Sequence, residues 1–264
     1  MSKEEEVCNN KEGESVAAVA SPRKNEVDML HGPLLGKILM FAMPFALSGV
    51  LEQLFNSVDV MVVGRFASSE AMAAVGANTF LINLCINLFV GMSVGANVIL
   101  SNHIGQCDNR AIRHAVSTTM VLSVISGFLL LLIGLLIAPM VLRAMDTPAN
   151  VINDAITYLR IWFLGAPFFM VYNFGASVLR SKGDTRRPLY ILIIAGIINT
   201  VVALVTVIVF KMSVVGVGMA NDVAYVFSAI AVVYLLRKEQ GHFRLDYRHL
   251  HIYGVELKRI LQIG

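Results

Sequence analysis

The chain has 264 residues, of which 56% are apolar and 15% charged, with a formal net charge of +3 and a mean hydropathy of +0.70. A water-soluble domain of this length carries more charge, so the composition excludes an ordinary soluble enzyme and points to a membrane protein. The small basic excess is confined to a few loops, which reads as a topology signal and excludes a nucleic-acid-binding surface.

Residues 1–29 are polar, open with Lys3-Glu4-Glu5-Glu6 and hold no apolar stretch. They predict a disordered cytosolic tail rather than a signal peptide. Gly32-Pro33 then precedes the first apolar span, Ile38–Val63. Two carboxylates, Glu52 and Asp59, lie inside it. An ionised carboxylate at that depth costs several kcal/mol and usually marks function. Ser48, Glu52, Asn56 and Asp59 are spaced by 4, 4 and 3 residues, which predicts one polar stripe with Gln53 at its margin. Lipid cannot satisfy such a stripe, so it must face a cavity or another helix. The functional expectation is a proton or sodium site at Asp59, with Glu52, Gln53 and Asn56 lining a substrate cavity. The structural alternative is a hydrogen-bonded seam between helices.

The second span, Ala71–Leu100, carries Gly91-Met-Ser-Val-Gly95, a small-residue face that allows close helix contact. The turn Gly105-Gln-Cys-Asp108 leads to the third span, Ala115–Leu142. Asp146-Thr-Pro148 opens the fourth, Ile161–Leu179, with Pro148 suited to a first helical turn. Arg160 with Tyr158 and Trp162 reads as an interfacial anchor. Farther along this span, Tyr172 and Asn173 offer polar groups to the cavity. Pro44 and Pro167 each remove a backbone hydrogen bond and favour a kink. Gly183-Asp184-Thr-Arg-Arg-Pro188 separates the fourth and fifth spans, with Asp184 as a cap and Pro188 early in the helix. The fifth span, Leu189–Phe210, holds Asn199, and the sixth, Met212–Leu236, holds Asn221-Asp222.

Six spans place both ends of the bundle on one side. Basic residues cluster at Arg110 and Arg113, at Arg180 to Arg187, and at Arg237 to Arg248, whereas the opposite loops hold only Arg65, Arg143 and Lys211. The positive-inside rule therefore predicts a multi-pass plasma-membrane protein with both termini cytoplasmic. Cys8, Cys85 and Cys107 have no metal or redox spacing, and no disulfide is expected. There is no phosphate-binding loop, zinc spacing or nucleophile set, so no enzyme activity and no cofactor are expected beyond H+ or Na+ as coupling ion. Residues 239–264 form a cytosolic linker that ends Lys258-Arg259-Ile-Leu-Gln-Ile-Gly264. This resembles Lys37-Ile-Leu-Met-Phe-Ala42 at the head of the first span. It predicts that residues 30–238 are one six-helix lobe and that a second lobe, the expected partner, starts where the chain ends.

Three motifs carry a family resemblance. The segment Gly32-Pro33-Leu34-Leu35…Pro44…Gln53-Leu-Phe-Asn56-Ser-Val-Asp59-Val-Met-Val-Val-Gly64-Arg65-Phe66 resembles the first helix of multidrug and toxic compound extrusion (MATE) transporters. Gly91-Met-Ser-Val-Gly95-Ala96…Gly105 and Leu179-Arg180-Ser-Lys-Gly183-Asp184-Thr185…Pro188 are similar to the same family. The resemblance implies an all-α membrane protein, a six-helix bundle that is the amino-terminal lobe of a twelve-helix transporter. It also implies export of small organic, often cationic, compounds in exchange for protons or sodium. In one branch the coupling acid on helix 1 matches Asp59, and asparagines on helices 4 and 5 match Asn173 and Asn199. That branch has an aspartate one turn later on helix 5, where this chain has Ala203, and a helix-6 threonine near Asn221. Asp222 is the expected replacement for the missing carboxylate. A flippase for lipid-linked saccharides would want cationic residues inside the spans, which show none. A truncated, non-transporting half-protein is the remaining alternative.

Overall fold

The computed structural model describes residues 34–145, 148–239, 241–245 and 251–264. The expected tail, 1–29, and Asp146 lie outside the described residues. Every regular element among the described residues is helical. The helices are α1 (Leu34–Phe66), α2 (Ser69–Gly105), α3 (Asn109–Ala144), α4 (Ile152–Ser181), α5 (Arg186–Leu204), α6 (Ser213–Lys238) and α7 (Gly254–Ile263). The first six are long and apolar enough to cross a membrane, so the protein is a multi-pass membrane protein.

Turn chemistry sets the helix ends. Ser68 caps α2 by accepting from the Ala71 N–H, and Asp108 caps α3 by accepting from those of Arg110 and Ala111. Asp184 accepts from the Arg187 N–H at the head of α5, as its position predicts. Pro148 does not open α4. Its carbonyl accepts from Val151 and Ile152 in a turn that precedes the helix. The α5 helix runs on as a π turn over Val205–Val209, and α6 begins at Ser213, after the positive-φ residues Lys211 and Ser213 reverse the chain. Cys85 is a free thiol, whereas Cys107 is disulfide-bonded against expectation.

The lobe is built around α4, where 72% of the span is buried against 22% in α1. Small residues let its neighbours close in. Gly127 of α3 lies against Pro167, Gly134 against the Phe163 ring, and Gly175 of α4 against Val232 of α6. Without a hydrophobic drive between helices in lipid, such close van der Waals contact is what holds a bundle. Beside these contacts, the chain after α6 folds back over the α4–α5 turn. There Glu239, 3% exposed, accepts from Lys182 and Arg187, and Arg187 also pairs with Asp184. Lys182 lies over the Phe243 ring, 4.8 Å from its centroid. Burial pushes the Glu239 carboxyl upward, but the hydrogen bonds and charges of Lys182 and Arg187 outweigh it and hold the group below its ordinary value.

Candidate functional site: an acid between two amides

Asp59 lies on α1 about 10 Å, at 1.5 Å per residue, from the Phe66 end, and only 3% of it is exposed. Its position follows from a contact one turn earlier. Gly196 of α5 leaves room for the Phe55 ring, which a Cβ at 196 would strike. Phe55 and Asp59 are four apart on α1, and Gly196 and Asn199 are three apart on α5. Seating the ring on the glycine therefore sets the acid opposite the amide.

The resulting site joins three helices. Asp59 Oδ2 accepts from Asn221 Nδ2 of α6 at 2.9 Å and from Asn199 Nδ2 of α5 at 3.3 Å. Asn199 Nδ2 also donates to Asn221 Oδ1 at 3.0 Å, and Asn221 Nδ2 to the Val217 carbonyl at 3.2 Å. Asp59 Oδ1 and Asn199 Oδ1 are buried without a partner. No Lys or Arg forms an ion pair with Asp59 among the described residues. Two amides thus orient the acid, and two unpartnered oxygens are left as the atoms that a proton or cation can take. Leaving them empty is costly in a low-dielectric interior.

The other expected residues are spread more widely. Asn173 is buried, but its amide donates to Phe169 of its own helix at 3.0 Å. Tyr172 donates to the Pro188 carbonyl at 3.2 Å, so its hydroxyl is tied to the head of α5 rather than to Asp59. Glu52 is half-buried, with Arg180 as its nearest cationic influence. Gln53 and Asn56 are exposed on α1. The expected single stripe therefore breaks up, and helix geometry explains it. Each step of four advances about 40° round a 3.6-residue helix, so Asn56 drifts about 80° from Ser48 while Asp59 returns to about 20°.

Asp222 departs from expectation too. One residue beyond Asn221 turns the side chain by about 100°, away from α5 and Ala203. Its Oδ1 is buried against Gly165 of α4, where a Cβ would strike it. Among the described residues, the hydrogen bonds of Asp59 come from Asn199 and Asn221 and not from Asp222. Tyr158 and Tyr225 lie in the electrostatic field of both Asp59 and Asp222. The roles of Phe55, Gly196 and Gly165 escaped sequence reasoning, since an aromatic or a glycine in an apolar run carries no chemical signal. No group of three or more metal-ligating side chains occurs among the described residues.

The chain is similar to known proteins. The MatE family model matches residues 44–205. A probable multidrug resistance protein of Bacillus subtilis, YoeA, is 30% identical over 213 residues, covering 78% of this chain and 46% of that protein. The probable multidrug resistance protein NorM of Thermotoga maritima is 25% identical over 163 residues, covering 62% of this chain and 34% of its own. A crystal structure of a MATE protein in the bent conformation superposes with a TM-score of 0.85 at 24% identity, over 92% of this chain and 54% of that one. The chain spans about half the length of the curated relatives it matches.

Proposed function

Since this chain belongs to the MatE family, we propose that it is the six-helix lobe of a secondary antiporter that exports organic, often cationic, compounds in exchange for protons or sodium. The observation that carries the reading is Asp59, a buried acid held by two amides and by no cation. In this reading the coupling ion binds at Asp59 Oδ1, with Asn199 and Asn221 fixing the carboxylate plane. Loss of the ion leaves a charge that the amides only partly compensate, which favours the arrangement that rebinds an ion or admits a cationic cargo.

The basic loops at Arg110 and Arg113, at Arg180 to Arg187 and at Arg237 to Arg244 orient the lobe with those turns in the cytoplasm of a plasma membrane. Asp59 then lies in the outer half of the span, and a second lobe completes the cargo path. The names of YoeA and NorM as multidrug resistance proteins support the cargo class.

The test uses vesicles holding this chain together with a carboxy-terminal six-helix lobe. An imposed gradient of a lipophilic organic cation drives counterflow, read by an internal pH dye in one arm and by sodium uptake in the other. Asp59→Asn is expected to reduce the coupled ion flux to the background of empty vesicles. Full coupled flux in that variant overturns the reading.

A further inference from the structure

Residues 251–264 run across one end of α2 and α3 and then along α2. The His251 N–H donates to Ser117 Oγ at 2.8 Å, and that hydroxyl donates back to the His251 carbonyl at 3.0 Å. The Tyr253 N–H donates to Thr118 Oγ1 at 3.1 Å, and the Tyr253 ring stacks on His114 with centroids 3.7 Å apart. From there α7 runs antiparallel to α2. Glu256 meets His103, Ile260 meets Gly95, and Gly264 meets Gly91. A Cβ at Gly95 would lie 2.6 Å from the Ile260 carbonyl oxygen, and one at Gly91 would lie 2.9 Å from that of Gly264. Backbone therefore rests on backbone, with no α2 side chain interlocked at those two positions.

Among the described residues, one polar side-chain pair joins α2 and α7 across this seam. His103 Nε2 and Glu256 Oε2 are 3.0 Å apart, and both residues are buried. Arg259 adds a weaker contact, 3.7 Å from Glu256 Oε1, while His103 Nδ1 is buried with no partner. Ile260, fully buried, lies under the seam against Gly95.

We propose that the His103–Glu256 pair is the inner latch of the transport cycle, sealing the seam between α2 and α7 when closed and opening it to cytoplasmic water when released. The inference rests on the transport reading above. A buried acid–imidazole pair suits a switch because its desolvation cost roughly balances its attraction, so the joined and the hydrated, separated states lie close in free energy. A permanent seam would gain more from apolar side chains. The glycine face adds the second requirement, since at Gly91 and Gly95 α2 presents no side chain that must change rotamer for α7 to part from it.

The experiment reads water access rather than transport. Ile260→Cys is introduced at a position buried under the seam, and the full chain in vesicles is exposed on its cytoplasmic side to a membrane-impermeant thiol reagent. Labelling at position 260 is followed by mass spectrometry, with native Cys85, ten residues from Gly95 along α2, as the internal reference. His103→Ala and Glu256→Gln are each expected to raise the labelling rate at position 260 about tenfold, the scale of a lost hydrogen bond to a charged group. The exchange His103→Glu with Glu256→His is expected to restore the slow rate. Gly95→Leu, which wedges the seam while leaving the pair chemically intact, is expected to raise it as well. Unchanged labelling in both single variants overturns the latch. An equal rise at Cys85 also overturns it, because the lobe would then have loosened as a whole. Neither result bears on ion exchange at Asp59, so the two readings fail separately.

Discussion

Asp59 and Glu239 are both carboxylates with 3% of their surface exposed, and they are solved in opposite ways. Glu239, at the turn after α6, is met by Lys182 and Arg187, and Arg187 is shared with Asp184. Among the described residues, two cations meet two carboxylates there. Asp59, inside a span, is met by two neutral amides and keeps an unpartnered oxygen. The first arrangement is closed, and any change costs free energy. The second is unfinished, and in the proposed reading a small cation completes it. Burial alone does not mark an acid as functional. What distinguishes the two is whether the protein itself supplies the countercharge.

Breaking the closed cluster should have the larger effect on stability. Glu239→Gln leaves Lys182 and Arg187 with one charge too few, and is expected to cost about 2–3 kcal/mol, toward the low end for a disrupted buried pair because both cations are partly exposed. Thermal unfolding in detergent measures this. The pH dependence sharpens the assignment. Since the folded-state value of Glu239 lies below its ordinary 4.5, the unfolded chain binds the proton more readily. The stabilisation is therefore complete above pH 4.5 and is lost as the pH falls through the lower, folded value. The gap between the native chain and Glu239→Gln should close over that acid range. A gap independent of pH would mean that Glu239 acts through packing rather than charge.

Asp59→Asn should move stability the other way, and less. It removes a buried charge with no ionic partner, and a neutral amide fills the same volume. A gain of about 1 kcal/mol or less is expected, in line with the usual conflict between an active site and the stability of its scaffold. Together with the loss of coupled flux, this would separate a functional acid from a structural one. A loss comparable to that of Glu239→Gln would place Asp59 among the structural pairs.

The contrast also explains what the sequence could and could not disclose. The six spans were legible because long uncharged runs have few other uses. Asp59 stood out as a charge inside such a run, Asn199 and Asn221 stood out as amides in apolar spans, and the family resemblance then matched Asn199 to a coupling residue. Lys182 and Arg187 read only as topology markers and Glu239 drew no reading, because their pairing spans 52 and 57 residues and no local pattern encodes it. His103 and Glu256 are 153 residues apart and were equally silent. Tyr172 was assigned to the cavity by its residue type, yet its hydroxyl finds the Pro188 carbonyl 16 residues on.

The smallest expected effect tests the geometry of α1 itself. By spacing alone Asn56 belongs with Asp59, three residues away and polar in the same span. In the structure Asn56 is exposed and Asp59 buried, because the two differ by about 60° round the helix. If the amides of Asn199 and Asn221 are what define the coupling site, Asn56→Ala removes no ligand from it. Coupled ion flux should then stay within about twofold of the native value and stability within about 0.5 kcal/mol, the range of surface substitutions. Cargo competition assays on the same variant would show whether Asn56 contributes to the cargo surface instead. A collapse of ion coupling in Asn56→Ala would mean that α1 rotates by most of a quarter turn during the cycle, bringing the exposed amide to the acid, and the static triad would describe only one of two binding states.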